Sequence, residues 1–421
     1  MEKKVFENGL RLIYLPIERV RSASVAVWVA TGSRHETFEQ RGISHFIEHM
    51  LFKGTVNRSA RDISEQMDML GGGLNAYTAK EYTRYFAQTL GKNAVSALEI
   101  LCDMLTTPLL DADELERERG VILDEMAMYE DSGQDVAHEA LCAAVWPNSP
   151  LGQPICGVAD TVSAFTHDDL QGFMQERYTP DKMIVVVVGD YDRSGVDELI
   201  EKTLGSLSKG KSTALGDSPV FTPSLALKNK KFEQTSLALA MPGLPLGDAH
   251  RYSMMLLNFI VGGGVSSRLF QRLREELGLA YSVYSSHTAA LGAGLFTISA
   301  SFSADKQAQV LDEINRILED TAHGVTNEEF ERARAQVKAS SIMGMETVAA
   351  QATFVGRSEL FEGRLINFDQ IIEKLDALTC DDVNRLAENI LGNTARALSV
   401  AGKVKKRSFY MPYITSTTNN K

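Results

Sequence analysis

Cysteine is scarce in this chain: four in 421 residues, at Cys102, Cys142, Cys156 and Cys380, with no Cys-x-x-Cys pair. That excludes a disulfide framework and a cysteine-built metal site, and it points to reduced thiols and a cytoplasmic location. No apolar run reaches membrane-spanning length, so no membrane partner is expected. The first nine residues, Met1 to Gly9, hold no apolar stretch of the secretory type, so no export signal is expected either. Positive charge is in deficit, with 43 Lys and Arg against 55 Asp and Glu and a net charge of -12. An acidic surface argues against nucleic acid and anionic lipid as partners. A phosphate loop is also missing: Gly262-Gly263-Gly264 is not followed by Gly-Lys-Ser/Thr and reads as a helix stop.

What is present is globular, at 44% hydrophobic and 23% charged residues. The length exceeds one ordinary core and predicts two domains. The stretch 205–223, rich in Gly, Ser, Lys, Thr and Pro, reads as the connection. The expected division is therefore 1–207, a linker over 208–225, 226–407, and a polar tail over 408–421. The halves repeat one another. Asn327-Glu-Glu-Phe-Glu-Arg-Ala-Arg334 resembles Asp113-Glu-Leu-Glu-Arg-Glu-Arg119. The segments 9–16 and 22–30 read as paired strands, and 83–90, 183–189, 236–240 and 295–302 as further strands. Ser59 and Asp62 form a capping box, and the helix they open should stop at Gly71.

One stretch carries chemistry. In Gly42-Ile-Ser-His-Phe-Ile-Glu-His-Met-Leu-Phe52, apolar residues at 43, 46, 47, 50 and 51 predict a buried helix. His45 and His49, four apart, share one face of it, and two imidazoles so placed can bind one zinc ion. Glu48 lies on nearly the same side, suited to meet a water at the metal rather than the metal itself. The alternative is a pair of satisfied core histidines. Burying three such groups without partners is costly, so a third ligand is sought downstream.

Catalytic zinc commonly takes three protein ligands. Glu125, on a long predicted helix, is the best third candidate. Glu118 lies two turns earlier on the same face and could hydrogen-bond a ligand histidine. Both could instead face water, as most helical glutamates do. Sliding the first half onto the second puts Ser253, Leu256 and Leu257 opposite His45, Glu48 and His49, with Ala333 opposite Glu118 and Ser340 opposite Glu125. The second half lacks every candidate metal group.

His45-x-x-Glu48-His49 followed by Glu125, within Arg41-Gly-Ile-Ser-His-Phe-Ile-Glu-His-Met-Leu-Phe-Lys-Gly-Thr55, resembles peptidase family M16. The likeness extends over 72–85, 116–125 and 267–281. It is greatest to small bacterial processing peptidases and to the β subunit of mitochondrial processing peptidase. The resemblance implies an α+β fold of two homologous domains, each a mostly antiparallel β-sheet with helices packed on one face. It implies a zinc metalloendopeptidase cleaving extended or unfolded peptides, with one zinc per chain. His45, His49 and Glu125 would be ligands, Glu48 the general base, and Glu118 an acid behind a ligand. Gly73, Leu74, Asn75 and Ala76 match positions where substrate lies as an added strand. Arg274 and Tyr281 match residues that hydrogen-bond the substrate backbone, although Arg274 also fits the polar face of a helix whose core side is Leu269, Leu273 and Leu277. The resemblance further implies a homodimer in which Arg274 and Tyr281 reach the partner's zinc site. A catalytically silent scaffold or partner subunit is the competing reading.

Overall fold

The run Met183-Ile-Val-Val-Val-Val-Gly189 has no polar alternation, so a strand made from it needs cover on both faces. All seven residues are buried. A computed structural model of the chain describes residues 1–210, 218–392 and 394–414. Its strands are β1 Glu2–Val5, β2 Arg11–Pro16, β3 Ser22–Val29, β4 Gly73–Thr78, β5 Thr83–Leu90, β6 Met183–Gly189, β7 Leu225–Asn229, β8 Thr235–Pro242, β9 Ala280–Ala290, β10 Ala293–Phe302 and β11 Ala397–Gly402. The α-helices are α1 Ile43–Leu51, α2 Ala60–Met69, α3 Ala94–Thr106, α4 Ala112–Glu130, α5 Gly133–Val145, α6 Ala159–Ala164, α7 His167–Arg177 and α8 Arg193–Lys202. The series continues with α9 Arg251–Val261, α10 Gln307–Ala322, α11 Asn327–Met343, α12 Val348–Glu362, α13 Phe368–Asp376, α14 Cys380–Leu391 and α15 Arg407–Tyr410. Among the described residues no helix is long and apolar enough to cross a membrane.

Two compact units result, and each is discontinuous. The first takes Met1–Met126, Gln153–Gly216 and Gly344–Ile366, and the second takes Ala127–Gly152, Asp217–Met343 and Asn367–Lys421. The boundaries expected at 207 and 226 follow the chain, whereas the units interleave along it. Within the expected linker, residues 211–217 lie outside the described residues, as do 415–421 of the expected tail. The nearer part of that tail is folded: Tyr410 in α15 is fully buried and donates to Gln307 Oε1 at 2.6 Å.

The first sheet runs β1-β2-β6-β3-β5-β4 and is antiparallel except at β2–β6. This corrects the expected pairing of 9–16 with 22–30. The apolar β6 lies between those strands, because the most hydrophobic strand takes a central place. One face carries Leu12, Tyr14, Val25, Val27, Tyr85 and Val187 against Ile43, Phe46, Ile47 and Met50 of α1 and Leu98 and Leu101 of α3. Truncating a fully buried side chain such as Phe46 to Ala costs about 3–5 kcal/mol. The other face packs Ile13, Trp28, Ile184 and Val186 against Ala352 and Val355 of α12. Helix and sheet meet closely at Gly356, where a Cβ would lie 2.3 Å from the Trp28 ring. The second sheet runs β7-β11-β8-β10-β9, antiparallel except at β7–β11. Helices α9, α10 and α14 cover one face and α5 the other. The mostly antiparallel two-sheet α+β architecture is as expected, with one added helix on each second face.

The segment 270–276 is a π-helix, and it alters one expected face. Leu269 and Leu273 are fully buried, but Leu277 is 38% exposed. The wider turn carries position 277 off the line that an α-helix would have kept.

Candidate metal centre

Helix α1 starts at Gly42, whose φ of 95° is left-handed and whose side-chain-free N-cap offers no acceptor. A Cβ there would lie 2.6 Å from the Cys156 carbonyl oxygen, so glycine is required. The acceptors come from Glu36. Its Oε2 accepts the Gly42 N–H at 2.8 Å and its Oε1 the Ser44 N–H at 2.9 Å. Glu36 is 3% exposed, and burial pushes its carboxyl up to about 7 against the pull of those two bonds.

His45 and His49 leave α1 on one side, their rings 4.7 Å apart. Glu125 reaches them from α4. Its Oε2 is 3.7 Å from His45 Nε2 and 3.5 Å from His49 Nε2. Among the described residues these three offer donor atoms that all lie within 4.8 Å of one another, a group that could hold one metal ion. The donor set fits zinc: two imidazole nitrogens and one carboxylate oxygen. Burial, aided by the nearby His49, pushes His45 down to about 4, so its imidazole is neutral at neutral pH, the form that ligates. The His45 Nδ1 is buried without a hydrogen-bond partner among the described groups.

Glu118 sits behind His49, with Oε2 3.0 Å from Nδ1. A carboxylate accepts, so Nδ1 carries the hydrogen and the Nε2 lone pair is left to face Glu125. Lys53 Nζ holds the other oxygen of Glu118 at 2.5 Å. Glu48 is turned toward strand β4 and accepts from Thr78 Oγ1 at 2.6 Å. Burial raises its carboxyl above the usual range, opposed by the Thr78 hydrogen bond.

Among the described residues strand β4 lies at the edge of the first sheet and pairs only with β5. The Ala79 N–H donates to the Tyr82 carbonyl, and antiparallel bonding alternates. Residues 74, 76 and 78 therefore turn their main-chain groups to the open edge. Gly73, Leu74, Asn75 and Ala76 are on this strand, and the Asn75 Oδ1 accepts the Ala76 N–H at 2.8 Å.

Arg274 and Tyr281 belong to the second unit. The Arg274 guanidinium lies 5.3 Å from the Tyr281 ring and 4.9 Å from that of Phe270, and Tyr281 is 73% exposed. The metal group, Glu48 and Glu118 thus stand together in the first unit, and Arg274 and Tyr281 stand together in the second. Spacing did not find Glu36, Lys53 or Thr78. None has a periodic partner, although Lys53 and Thr78 lie inside stretches already singled out.

Comparison with known proteins divides the chain in sequence order, whereas the two units interleave along it. A family model described as Insulinase (Peptidase family M16) matches residues 13–158, and one described as Peptidase M16 inactive domain matches 164–337. An uncharacterized zinc protease of Bacillus subtilis (strain 168) is 40% identical over 91% of this chain and 94% of its own length. An uncharacterized zinc protease of Streptomyces coelicolor is 37% identical over 97% of this chain and 90% of its own. The crystal structure of a protease from Helicobacter pylori matches with a TM-score of 0.87 at 24% identity, covering 95% of this chain and 99% of that one. The peptidase M16 inactive domain from Pseudomonas fluorescens matches with a TM-score of 0.89 at 21% identity, covering 96% and 98%. At those identities the structural likeness is one of fold.

Proposed function

Because the chain belongs to peptidase family M16, we propose that it is a zinc-dependent endopeptidase of extended or unfolded peptides, with one zinc per chain held by His45, His49 and Glu125. The observation that carries this reading is the convergence of those three donors beside Glu48, which is itself bonded to the end of an open strand edge. A bound zinc ion supplies Lewis acidity to the peptide carbonyl and to water. Glu48 takes the proton of the attacking water and returns it to the departing nitrogen. A carboxyl raised by burial is a better proton acceptor at neutral pH than an exposed one, and Thr78 fixes its orientation by holding one oxygen. Glu118 keeps His49 in the tautomer that leaves Nε2 free.

Substrate is bound as a strand beside Gly73, Leu74, Asn75 and Ala76. Main-chain pairing along this edge, at Leu74 and at the Ala76 carbonyl, accepts many sequences, so extended peptides are favoured over folded proteins. The working form is a homodimer, the commonest closed symmetry, in which Arg274 and Tyr281 of one chain donate to the substrate carbonyl in the other chain's site. Mixing Glu48→Gln chains with Tyr281→Phe chains should then restore part of the lost activity, and no recovery after confirmed subunit exchange would sink the trans arrangement.

Zinc content and peptide hydrolysis of wild type and Glu48→Gln test the main reading. The variant should keep its zinc and lose turnover by about 10²–10⁴-fold. Near-normal turnover would remove the role of Glu48. Wild-type protein that holds zinc yet cleaves no unstructured peptide would instead be a silent partner subunit.

A further inference from the structure

We infer that Glu36 is a positioning residue for the proposed peptidase site, setting the helix that carries His45, Glu48 and His49 in register with the strand edge that receives substrate. The inference rests on the peptidase reading and deepens it. Four observations converge on it.

Gly42 cannot bear a capping side chain, because the Cys156 carbonyl occupies the place of its Cβ. The start of α1 therefore depends on an acceptor from elsewhere, since the first N–H groups of a helix have no partner within it. Glu36 supplies both acceptor oxygens, to Gly42 and to Ser44, and Ser44 immediately precedes His45.

Glu36 is nevertheless a costly choice. It is buried, and burial outweighs the pull of its two backbone hydrogen bonds and of the nearby Lys80 charge; a buried carboxyl is tolerated only where its oxygens are satisfied. A stabilising cap needs no such burial, as Ser59 and Thr166 demonstrate at exposed helix starts in the same unit.

The turn that bears Glu36 is itself bonded to the segment following β4. The Ser33 N–H donates to the Ala79 carbonyl at 3.2 Å and the Arg34 N–H to the Lys80 carbonyl at 2.7 Å. The buried Arg34 side chain pairs with Glu81 at 2.5 Å. Thr78, one residue before this anchor, is the group that holds Glu48. One short segment thus clasps the N-terminus of α1 at one end and the C-terminal end of β4 at the other. A shift of α1 along its axis would move both histidines relative to Glu125 and Glu48 relative to Thr78, and geometry of this kind is sensitive to displacements of about 1 Å.

Full-length wild type, Glu36→Gln and Glu36→Ala test this by four measurements: zinc affinity against a competing chelator, amide exchange over residues 42–46 without metal, kcat and KM on an unstructured peptide, and Tm. Gln keeps the shape but only one accepting oxygen. The expected result for Glu36→Gln is a folded protein whose zinc affinity falls about tenfold and whose kcat falls by a similar factor. Its KM should stay within about twofold, because β4 itself is untouched. Exchange at Gly42 and Ser44 should quicken without metal, and Glu36→Ala should be worse on every measure. If Glu36→Gln keeps wild-type zinc affinity and kcat, the inference is overturned, whatever its Tm, since a purely structural cap would lower Tm alone. If Glu36→Ala fails to fold, Glu36→Gln decides. If wild type holds zinc but cleaves nothing, the peptidase reading fails and zinc affinity and amide exchange alone decide Glu36.

Discussion

Helices α1 and α9 occupy equivalent places in the two repeats and carry opposite interiors. Each packs on one face of its own sheet. Where α1 presents His45, Glu48 and His49, α9 presents Ser253, Leu256 and Leu257, all buried. The long helices differ in the same way: Glu118 in α4 answers to the fully buried Ala333 in α11, and Glu125 to the exposed Ser340. The second unit therefore shows what this fold buries when no metal chemistry is asked of it. The first unit departs from that pattern at each position of the proposed site and leaves His45 Nδ1 buried without a hydrogen-bond partner among the described residues. Polar groups at apolar positions lower stability, and the family's fold does not need them, so their presence argues for function.

The comparison can be broken by exchanging residues between repeats. His49→Leu gives α1 the residue that α9 has. It should remove both zinc and hydrolysis while leaving the metal-free Tm unchanged or higher, and retained stoichiometric zinc would show the ligand assignment to be wrong. The reciprocal change, Leu257→His, places an imidazole in a closed apolar core with no partner. It should cost about 2–4 kcal/mol, a Tm loss of roughly 5–15 °C, without creating a zinc site. A thermally neutral Leu257→His would mean that the second interior is looser than its burial indicates.

A smaller effect sharpens the contrast through pH. Glu36 and Glu329 are acids of the first and second units with opposite environments. Burial lifts Glu36 to about 7 from an ordinary 4.5, so its contribution to stability is present below 4.5 and is lost as pH rises through 7. For Glu329 burial also pulls upward, but the two-pronged Arg268 contact at 2.7 and 2.8 Å and the Thr326 N–H outweigh it and bring the carboxyl down to about 2. Its contribution is present above 4.5 and is lost as pH falls through 2. Relative to wild type, Glu36→Gln should gain in Tm between about pH 5 and 8, and the deficit of Glu329→Gln should shrink between about pH 5 and 3. The effect is on the order of 2–3 kcal/mol for the buried Glu36 and, after allowance for solvent, on the order of 1 kcal/mol for Glu329. Slopes of the same sign would contradict the assigned environments.

Much of this was legible along the chain. The apolar spacing of 43, 46, 47, 50 and 51 marked α1 and placed both histidines on one face. The uninterrupted Val run marked β6, and the capping pair Ser59 and Asp62 opened α2 as expected. The π-helical turn at 270–276 was not legible, because its leucine spacing is also that of an α-helix. Nor was the covering of each sheet's second face by α12 and α5, since a helix shows in sequence that it has an apolar side but not which sheet receives it.

The sequence by itself determined the donor types, the helix that carries two of them, and the absence of those donors from the repeat. These follow from local periodicity and from side-chain chemistry, which need only neighbours in the chain. The tertiary structure alone decided that Glu125 Oε2 meets both Nε2 atoms, that Glu118 lies against His49 Nδ1 with Lys53 on its other oxygen, and that Glu36 caps α1. It also decided that β4 is an edge, because strand order is set by which apolar faces must be buried together, and that choice joins segments far apart in sequence.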